Sequence, residues 1–442
     1  MYDVAGRSIA DLRGALDAEE TTATELVGVY LARIARFDRA DPTRGHGRAS
    51  DGGVPLNSVV VMNPGALEEA AASDQRRSHG TVLGPLDGIP YTAKESYMVR
   101  GLPVPAGSPA FADLVAQWDA FTIERLRAGG AILLGLTTMP PMANGGMQRG
   151  LHGRAESPYN SGFLTSAFAS GSSNGSGTAT GAEFAAFGLA EETWSSGRAP
   201  ASCNSLCAYT PSRGVISVRG NWPLVPTMDV VVPHTRSMAD MLEVLDVIVA
   251  DDHTARGDFW RVQTWIEIPA ASAVRPPSYP ALNNPSGALA GTRFGVPRMY
   301  VNADPDAGTG GDRTGATGIG GPMGRRIDTS SDVIDLWDSL RTSLEAAGAV
   351  VEEVDFPLIS NYEGDRPGAP TVSTRGLIDA GYLETEVGPL AAWAWEDFLN
   401  ANGDPHLSTL RDVDGATISP HPAGALPDRY DGFSDDLADY PD

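Results

Sequence analysis

A run of very small residues in the middle of the chain restricts the folds open to it. Residues 170–181 read Ser-Gly-Ser-Ser-Asn-Gly-Ser-Gly-Thr-Ala-Thr-Gly. This composition is typical of a flexible loop, but apolar residues flank the run closely, which predicts a buried loop instead. Buried hydroxyl groups need hydrogen-bond partners. The sequence therefore predicts a network of serine side chains inside a packed core.

The composition of the 442-residue chain fits a globular protein, with 42% hydrophobic and 20% charged residues. The net charge of −24 predicts repulsion of nucleic acids and anionic lipids. No apolar stretch reaches the roughly 18–20 residues of a membrane span, and residues 1–7 lack the layout of a secretory signal. We therefore expect a cytoplasmic protein with no nucleic-acid or membrane partner. Its oligomeric state stays open.

The two cysteines are too few for a disulfide framework. Cys203 and Cys207 stand four residues apart on a predicted helix. Because no other histidine or cysteine clusters near them, we interpret them as core residues rather than metal ligands. We expect neither a metal ion nor a cofactor.

Helix and strand patterns alternate along the chain, which predicts an α/β fold. Residues 7–38 are predicted as two helices, the second starting at a Thr22–Glu25 capping box. Further helices are predicted at 64–77, 120–128, 238–249 and from Val333 to Gly348, and strands at 58–62, 131–135, 292–296 and 350–354, with a short strand inside 84–99. Residues 357–442 are weakly patterned.

Lys94 is the only lysine among 32 basic residues; the other 31 are arginines. Arginine is not deprotonated in proteins, whereas a buried lysine can become a neutral amine and act as a base. The count alone is equally consistent with chance. It nevertheless marks Lys94 as a candidate base.

Gly171 to Gly175 match the nucleophile-elbow pattern G-x-S-x-G, with Ser173 at its centre. That pattern requires a strand before it and a helix after it, with a histidine partner elsewhere. Residues 164–170 do not predict a strand, and none of the seven histidines is an obvious partner. An α/β-hydrolase-type esterase that uses Ser173 is therefore kept only as an alternative.

Five segments, in order, resemble the amidase signature family, and the resemblance runs from about residue 7 to 250. Residues 84–95 look like that family's G-P-L-x-G-I-P-x-x-x-K-[DE], 125–135 like the helix and strand that follow, 157–160 like N-P-x-N, 171–176 like G-S-S-G-G-S, and 193–201 like T-G-G-S-I-R-x-P-A. Several dispersed motifs at the expected distances are far more specific than any one of them.

The resemblance implies a catalytic triad. Ser196 would be the nucleophile, Ser172 a bridging serine preceded by a cis peptide bond, and Lys94 the base. A serine hydroxyl needs a base to become a good nucleophile, and Ser172 can both donate and accept a hydrogen bond, so it can relay the proton. Lys94 must be neutral to accept that proton, so burial must lower its pKa.

The resemblance also assigns the segment around the nucleophile. The backbone N–H groups of Thr193, Trp194 and Ser195, with that of Ser196, would form an oxyanion hole. Glu192 and Arg198 match the family's charged pair, which we interpret as a structural ion pair that holds this loop.

The implied fold is a mixed central β-sheet surrounded by helices, and we expect one domain over 1–442. Within it, 1–80 would supply N-terminal helices and the first strand, 81–250 the catalytic core, and 251–442 a variable part. The implied function is hydrolysis of small or aryl amides, and also of aryl carbamates (urethanes) and esters. The alternatives are the Ser173-based esterase and an amidotransferase-type or non-catalytic subunit that is active only with a partner.

Two departures from the family pattern matter. Trp194 and Ser195 stand where the family usually has two glycines, so Trp194 either lines the pocket, which would favour flat aromatic substrates, or packs in the core. A methionine group, Met139, Met142 and Met147, points to the same substrates, although such groups more often fill cores. The family's closing strands are not found between 360 and 442.

Overall fold

The computed structural model describes residues 2–40, 49–168, 170–283, 287–310, 328–379, 381–421 and 435–441. The chain divides into two compact units, one made of Met1–Asn283 with Val387–Asp442 and the other of Asn284–Glu386. That all 442 residues form a single domain stays a prediction.

The first unit contains a six-stranded sheet. Its strands are β1 (Val59–Met62), β2 (Pro90–Lys94), β3 (Ile132–Thr137), β4 (Phe187–Glu192), β5 (Cys207–Ala208) and β6 (Val230–Thr235), in the spatial order β1-β3-β2-β4-β6-β5. Strand β2 runs parallel to β3 and β4, whereas the pairs at both edges are antiparallel. The predicted mixed sheet is confirmed.

Helices accompany the strands, and those predicted within 7–38 and at 64–77, 120–128, 238–249 and 333–348 are present at nearly these positions. In chain order the helices are α1 (Ile9–Asp17), α2 (Ala23–Arg33), α3 (Ala66–Ser78), α4 (Phe121–Ala128), α5 (Asn174–Gly181), α6 (Arg198–Cys203), α7 (Met238–Ile248), α8 (Phe259–Val262), α9 (Ala271–Val274), α10 (Ser331–Ala346), α11 (Pro357–Tyr362), α12 (Tyr382–Thr385) and α13 (Ala391–Asn402). Among the described residues, no helix is long and apolar enough to cross a membrane.

The start of α2 shows how the local sequence sets a helix boundary. Thr22 accepts from the backbone N–H of Glu25, whose carboxylate accepts in return from that of Thr22, so the predicted capping box is present. The Asp74 carboxylate, on α3, accepts from the free N–H groups of Ala23 and Thr24. A carboxylate at a helix N-terminus satisfies otherwise unpaired donors.

Residues 171–180 of the small-residue run are buried, as predicted, but residues 174–181 form helix α5 rather than a loop. Serine and glycine are weak helix formers, so tertiary packing overrides local propensity here. A Cβ atom on Gly175 would lie 2.5 Å from the carbonyl oxygen of Thr138. Small side chains thus let α5 pack directly on the sheet.

The second unit has a two-stranded parallel sheet, β7 (Arg293–Pro297) and β8 (Val350–Val354), with α10 between the strands in sequence. The sequence predicts all three elements at nearly these positions. Helix α13, which lies in the weakly patterned region, is not predicted. It belongs to the first unit, where Trp395 is fully buried against Trp222.

Candidate active site

Lys94 is the last residue of the central strand β2, flanked by β3 and β4. Because β2 and β4 are parallel, their carboxyl ends meet at the same edge of the sheet. The register pairs Ala93 with Leu189, so Lys94 lies beside the last residues of β4. The strand therefore delivers the single lysine to the place where the Ser196 segment begins.

Ser172 precedes α5 and contacts Lys94 directly. Lys94 Nζ and Ser172 Oγ are 2.7 Å apart, in hydrogen-bond contact, and Ser172 is fully buried. The expected cis bond before Ser172 is wrong for this structure: the Gly171–Ser172 peptide bond is trans. Gly171 makes the turn instead with φ of +93°, a conformation open to glycine, and a trans bond avoids the cost of a non-proline cis bond.

Ser196 follows the end of β4 and faces Ser172. Its hydroxyl oxygen accepts a hydrogen bond of 3.2 Å from the backbone N–H of Ser172, and the residue is 7% exposed. Its carbonyl oxygen accepts from the N–H of Ser173 at 3.4 Å. The three residues predicted as a triad thus lie in contact: the Lys94 amine with the Ser172 hydroxyl, and the Ser172 backbone N–H with the Ser196 hydroxyl.

The environment of Lys94 favours its neutral form. Its side chain is 1% exposed, and burial holds the pKa of Lys94 below its ordinary value, while nearby Glu191, Asp229 and Glu95 act in the opposite direction. Desolvation disfavours a charged amine, and carboxylates favour it. The balance of these effects decides how readily Lys94 gives up its proton.

The loop after β4 is held by the ion pair that the sequence predicts. Arg198 Nε lies 2.7 Å from Glu192 Oε1, and the other Glu192 oxygen accepts from the backbone N–H groups of Gly197 and Arg198. Arg198 also donates to the carbonyl of Trp194 at 2.6 Å. These contacts fix the loop that carries Ser196.

In the described part of the chain, no protein acceptor takes a hydrogen bond from the backbone N–H groups of Trp194, Ser195 or Ser196. Donors without a protein acceptor beside a buried serine are what an oxyanion hole requires. The Thr193 hydroxyl donates to Asp229 at 2.6 Å, which ties this loop to the segment before β6.

Trp194 fits the loop without a left-handed backbone: neither it nor Ser195 is among the described residues with positive φ. Trp194 is 46% exposed, so the alternative that it packs in the core is wrong. Met139, Met142 and Met147 are buried, each 2% exposed or less. That Trp194 lines a substrate pocket stays a prediction.

Three acidic or basic residues at the site are absent from the sequence predictions. Glu191 Oε2 lies 3.9 Å from Lys94 Nζ, and burial raises the pKa of Asp229 to about 7. Buried His234 links Ser176, at 3.1 Å, to the carbonyl of Gly197, at 2.8 Å, and burial lowers its pKa to about 4. The sequence shows Glu191 only as one of two adjacent acids, which does not indicate that its side chain lies near Lys94.

The Ser173 hydroxyl makes both of its hydrogen bonds to backbone groups of Glu191. Its hydroxyl donates to the carbonyl of Glu191 at 3.0 Å and accepts from the N–H of the same residue at 3.3 Å, and the side chain is fully buried. Residues 164–168 form no strand. This geometry does not suit an exposed elbow nucleophile.

The predictions that Cys203 and Cys207 share a helix and lie in the core are wrong. Cys203 ends α6 and is exposed, whereas Cys207 lies in β5 and is partly exposed, so the two share no helix. The helix stops because Asn204 and left-handed Ser205 turn the chain. Within the described ranges, no three His, Cys, Asp or Glu side chains gather as a metal site requires.

Comparison with known proteins identifies the family of the chain. Residues 48–307, more than half of the chain, match the family described as Amidase. The chain belongs to the amidase signature family. One relative, the glutamyl-tRNA(Gln) amidotransferase A subunit of Aromatoleum aromaticum, is 31% identical over 67% of this chain and 55% of its own length.

Solved amidase structures share the fold. The peptide amidase from Stenotrophomonas maltophilia superposes with a TM-score of 0.70 at 26% identity, over 99% of this chain and 75% of that one. A bacterial aryl acylamidase of the same family superposes with a TM-score of 0.57 at 20% identity, over 79% and 61%, which shows the fold alone. The chain spans about 55–61% of the length of the curated relatives it matches first.

Proposed function

We propose that this amidase-family chain is a serine hydrolase that cleaves C–N acyl bonds through an acyl-enzyme on Ser196. The observation that carries the proposal is the 2.7 Å contact between Ser172 Oγ and Lys94 Nζ, on a lysine only 1% exposed. A lysine can accept a proton only as a neutral amine, and burial favours that form.

In the proposed mechanism the proton passes from the Ser196 hydroxyl through the Ser172 hydroxyl to the Lys94 amine. As Ser196 Oγ attacks the acyl carbon, its proton passes to Ser172 Oγ, and the proton of Ser172 passes to Lys94 Nζ, which becomes an ammonium. The proton returns by the same route to the amine nitrogen as the C–N bond breaks. Water then attacks the acyl-enzyme by the same steps and releases the acid and Ser196.

The backbone donors after β4 would stabilise the tetrahedral intermediate. The N–H groups of Thr193, Trp194, Ser195 and Ser196 are the proposed oxyanion hole, and one such donor is typically worth about 3–4 kcal/mol in the transition state. Glu192 and Arg198 keep these donors in place through the ion pair of 2.7 Å. The proposed chemistry requires no metal and no cofactor.

Small or aryl amides are the proposed substrates, with aryl carbamates (urethanes) and esters as further ones, since all three react by acyl transfer. The exposed ring of Trp194 next to the nucleophile supports a flat aromatic group. The structural likeness to a peptide amidase is consistent with amide substrates. A cytoplasmic location is part of the same proposal.

The second candidate is a component of an amidotransferase, and the names of the curated relatives favour it. The net charge of −24 would repel tRNA, so a partner would have to supply any contact with nucleic acid. Turnover by the purified chain alone distinguishes the two functions.

The test is a set of three alanine variants assayed on aryl amides, carbamates and esters. We expect Lys94→Ala and Ser196→Ala each to lower kcat/KM by about 10²-fold or more, whereas Ser173→Ala retains turnover. Loss in Ser173→Ala with activity kept in Lys94→Ala would support the esterase instead. A folded wild-type chain that hydrolyses none of the three classes would support the partner-dependent function.

A further inference from the structure

Strand β4 ends in two adjacent acids, and only the second has a part in the proposed mechanism. Glu192 holds Arg198. The Glu191 side chain is largely buried, with 13% of its surface exposed, and its Oε2 lies 3.9 Å from Lys94 Nζ. A carboxylate buried this close to the proposed base requires an explanation, because burying a charge is costly unless it is paired.

The structure surrounds the Glu191 carboxylate with hydrogen-bond donors. The Ser96 hydroxyl donates to Oε2 and the Asn221 side-chain amide donates to Oε1. The backbone of Glu191 is fixed by the hydroxyl of Ser173, which bonds both its N–H and its carbonyl. Donors to the charged form favour the carboxylate, although burial raises the pKa of Glu191.

Three other titratable groups act on Lys94 or are acted on by it. Burial raises the pKa of Glu95 to about 8 and that of Asp229 to about 7, and lowers that of His234 to about 4. Of these groups, Glu95 and Asp229 raise the pKa of Lys94 and so oppose the effect of burial on it. Glu191 has the largest opposing effect on the pKa of Lys94, and its Oε2 lies 3.9 Å from Lys94 Nζ.

We propose that Glu191 is a positioning residue for Lys94: its carboxylate holds the amine beside Ser172 and stabilises the ammonium that Lys94 becomes when it takes the serine proton. The proposal rests on Lys94 being the base. It assigns the effect to the interaction between Glu191 and Lys94, with no contact between Glu191 and the substrate.

Two consequences follow for the pH profile. A nearby carboxylate makes Lys94 a stronger base but delays its deprotonation to higher pH. Removing that charge should therefore move the acid limb of kcat/KM to lower pH, by about 1–3 units for an opposite charge at this distance. The plateau value of kcat/KM at high pH should fall at the same time, because a weaker base accepts the serine proton less well.

The experiment compares pH profiles of kcat/KM between pH 5 and 9.5, with the aryl amide that the wild-type chain hydrolyses best. Glu191→Gln keeps the size of the side chain and removes its charge. The matched control is Glu124→Gln, which removes a half-exposed carboxylate paired with Arg219; its profile should coincide with that of the wild type. Ser96→Ala removes one donor to Glu191, and its limb should move in the same direction by less.

The outcomes separate this inference from the proposed function. If Lys94→Ala keeps its activity, the function itself fails. The inference is wrong if Lys94→Ala is inactive while Glu191→Gln and Ser96→Ala leave the acid limb of the kcat/KM profile in place. A lower kcat in those two variants would then reflect a structural effect alone. Should Glu191→Gln not fold, the limb of Ser96→Ala decides.

Discussion

At the scale of single residues, one buried side chain is central to the proposed chemistry. Lys94 is the only lysine in a chain with 31 arginines. The proposed mechanism explains why arginine would not serve there: it requires an amine that loses its proton, whereas a guanidinium stays charged. The residue count marks Lys94, and its burial against Ser172 is what makes it the candidate base.

The pH dependence of the reaction tests the charge state of Lys94. Burial holds the pKa of Lys94 below its ordinary value, so the neutral, proton-accepting fraction grows as pH rises through that pKa. We expect kcat/KM to rise from pH 6 towards 9. Lys94→Arg keeps a positive charge but cannot act as a base, and should be inactive across this range; a flat wild-type profile would contradict the assignment.

At the scale of secondary-structure elements, the site depends on how closely α5 lies on the sheet. Gly175 sits where a Cβ atom would meet backbone atoms of Thr138 at 2.5 and 2.6 Å. Backbone cannot move aside as a flexible side chain can, so extra volume there displaces the helix. Ser172, just before α5, would move with it.

Two glycine-to-alanine variants in α5 test this packing. Gly175→Ala should lower the free energy of unfolding by about 1–3 kcal/mol, the usual cost of overpacking, and should also lower kcat. Gly181→Ala, in the same helix, meets its neighbours at an ordinary 3.4 Å and should change neither. Urea unfolding gives the free energy of unfolding of each variant, and an activity assay gives kcat. Equal stability of the two variants would mean that α5 does not need a glycine at position 175.

Secondary structure is predictable from sequence where a local motif determines the backbone conformation. It is not predictable where contacts with distant parts of the chain determine it. The capping box at Thr22 and the strand that ends at Lys94 are readable locally. Strand β6 is not, because Pro233 argues against a central strand. Its neighbour β5 pairs only with Thr235 and His234, which leaves Pro233 beyond the end of β5.

The same distinction applies to the candidate site. Ser196 and Ser172 lie in segments whose order resembles a known family, so the sequence alone could identify them as candidates. Glu191 could not be assigned, because its nearness to Lys94 results from the parallel register of β2 and β4 and from where each strand stops. The trans bond before Ser172 likewise depends on the turn at Gly171.

At the scale of the whole molecule, the end of the chain contributes to the core of the first unit. Helix α13 places Trp395 among Phe111, Trp222 and Tyr440, with ring centroids 4.7–6.3 Å apart. Trp395 is fully buried, whereas Trp393, two residues earlier on the same helix, is 56% exposed. Residues 391–402 thus stabilise the unit that carries the site.

A pair of tryptophan variants tests that contribution. Trp395→Ala should lower the free energy of unfolding by about 3–5 kcal/mol, as expected when a buried aromatic ring is removed. Trp393→Ala removes the same side chain from an exposed position and should cost far less. Thermal or urea unfolding of the full chain gives the comparison, and a small loss in Trp395→Ala would argue against a packed α13.

The central claim is that Ser196 is a nucleophile activated through Ser172 by Lys94. Its most direct test is labelling with a sulfonyl fluoride, which reacts with activated serines, followed by digestion and mass spectrometry to locate the adduct. We predict an adduct on Ser196 in the wild-type chain and none in Lys94→Ala. An adduct on Ser173, or an adduct on Ser196 that forms equally fast without Lys94, would contradict the account.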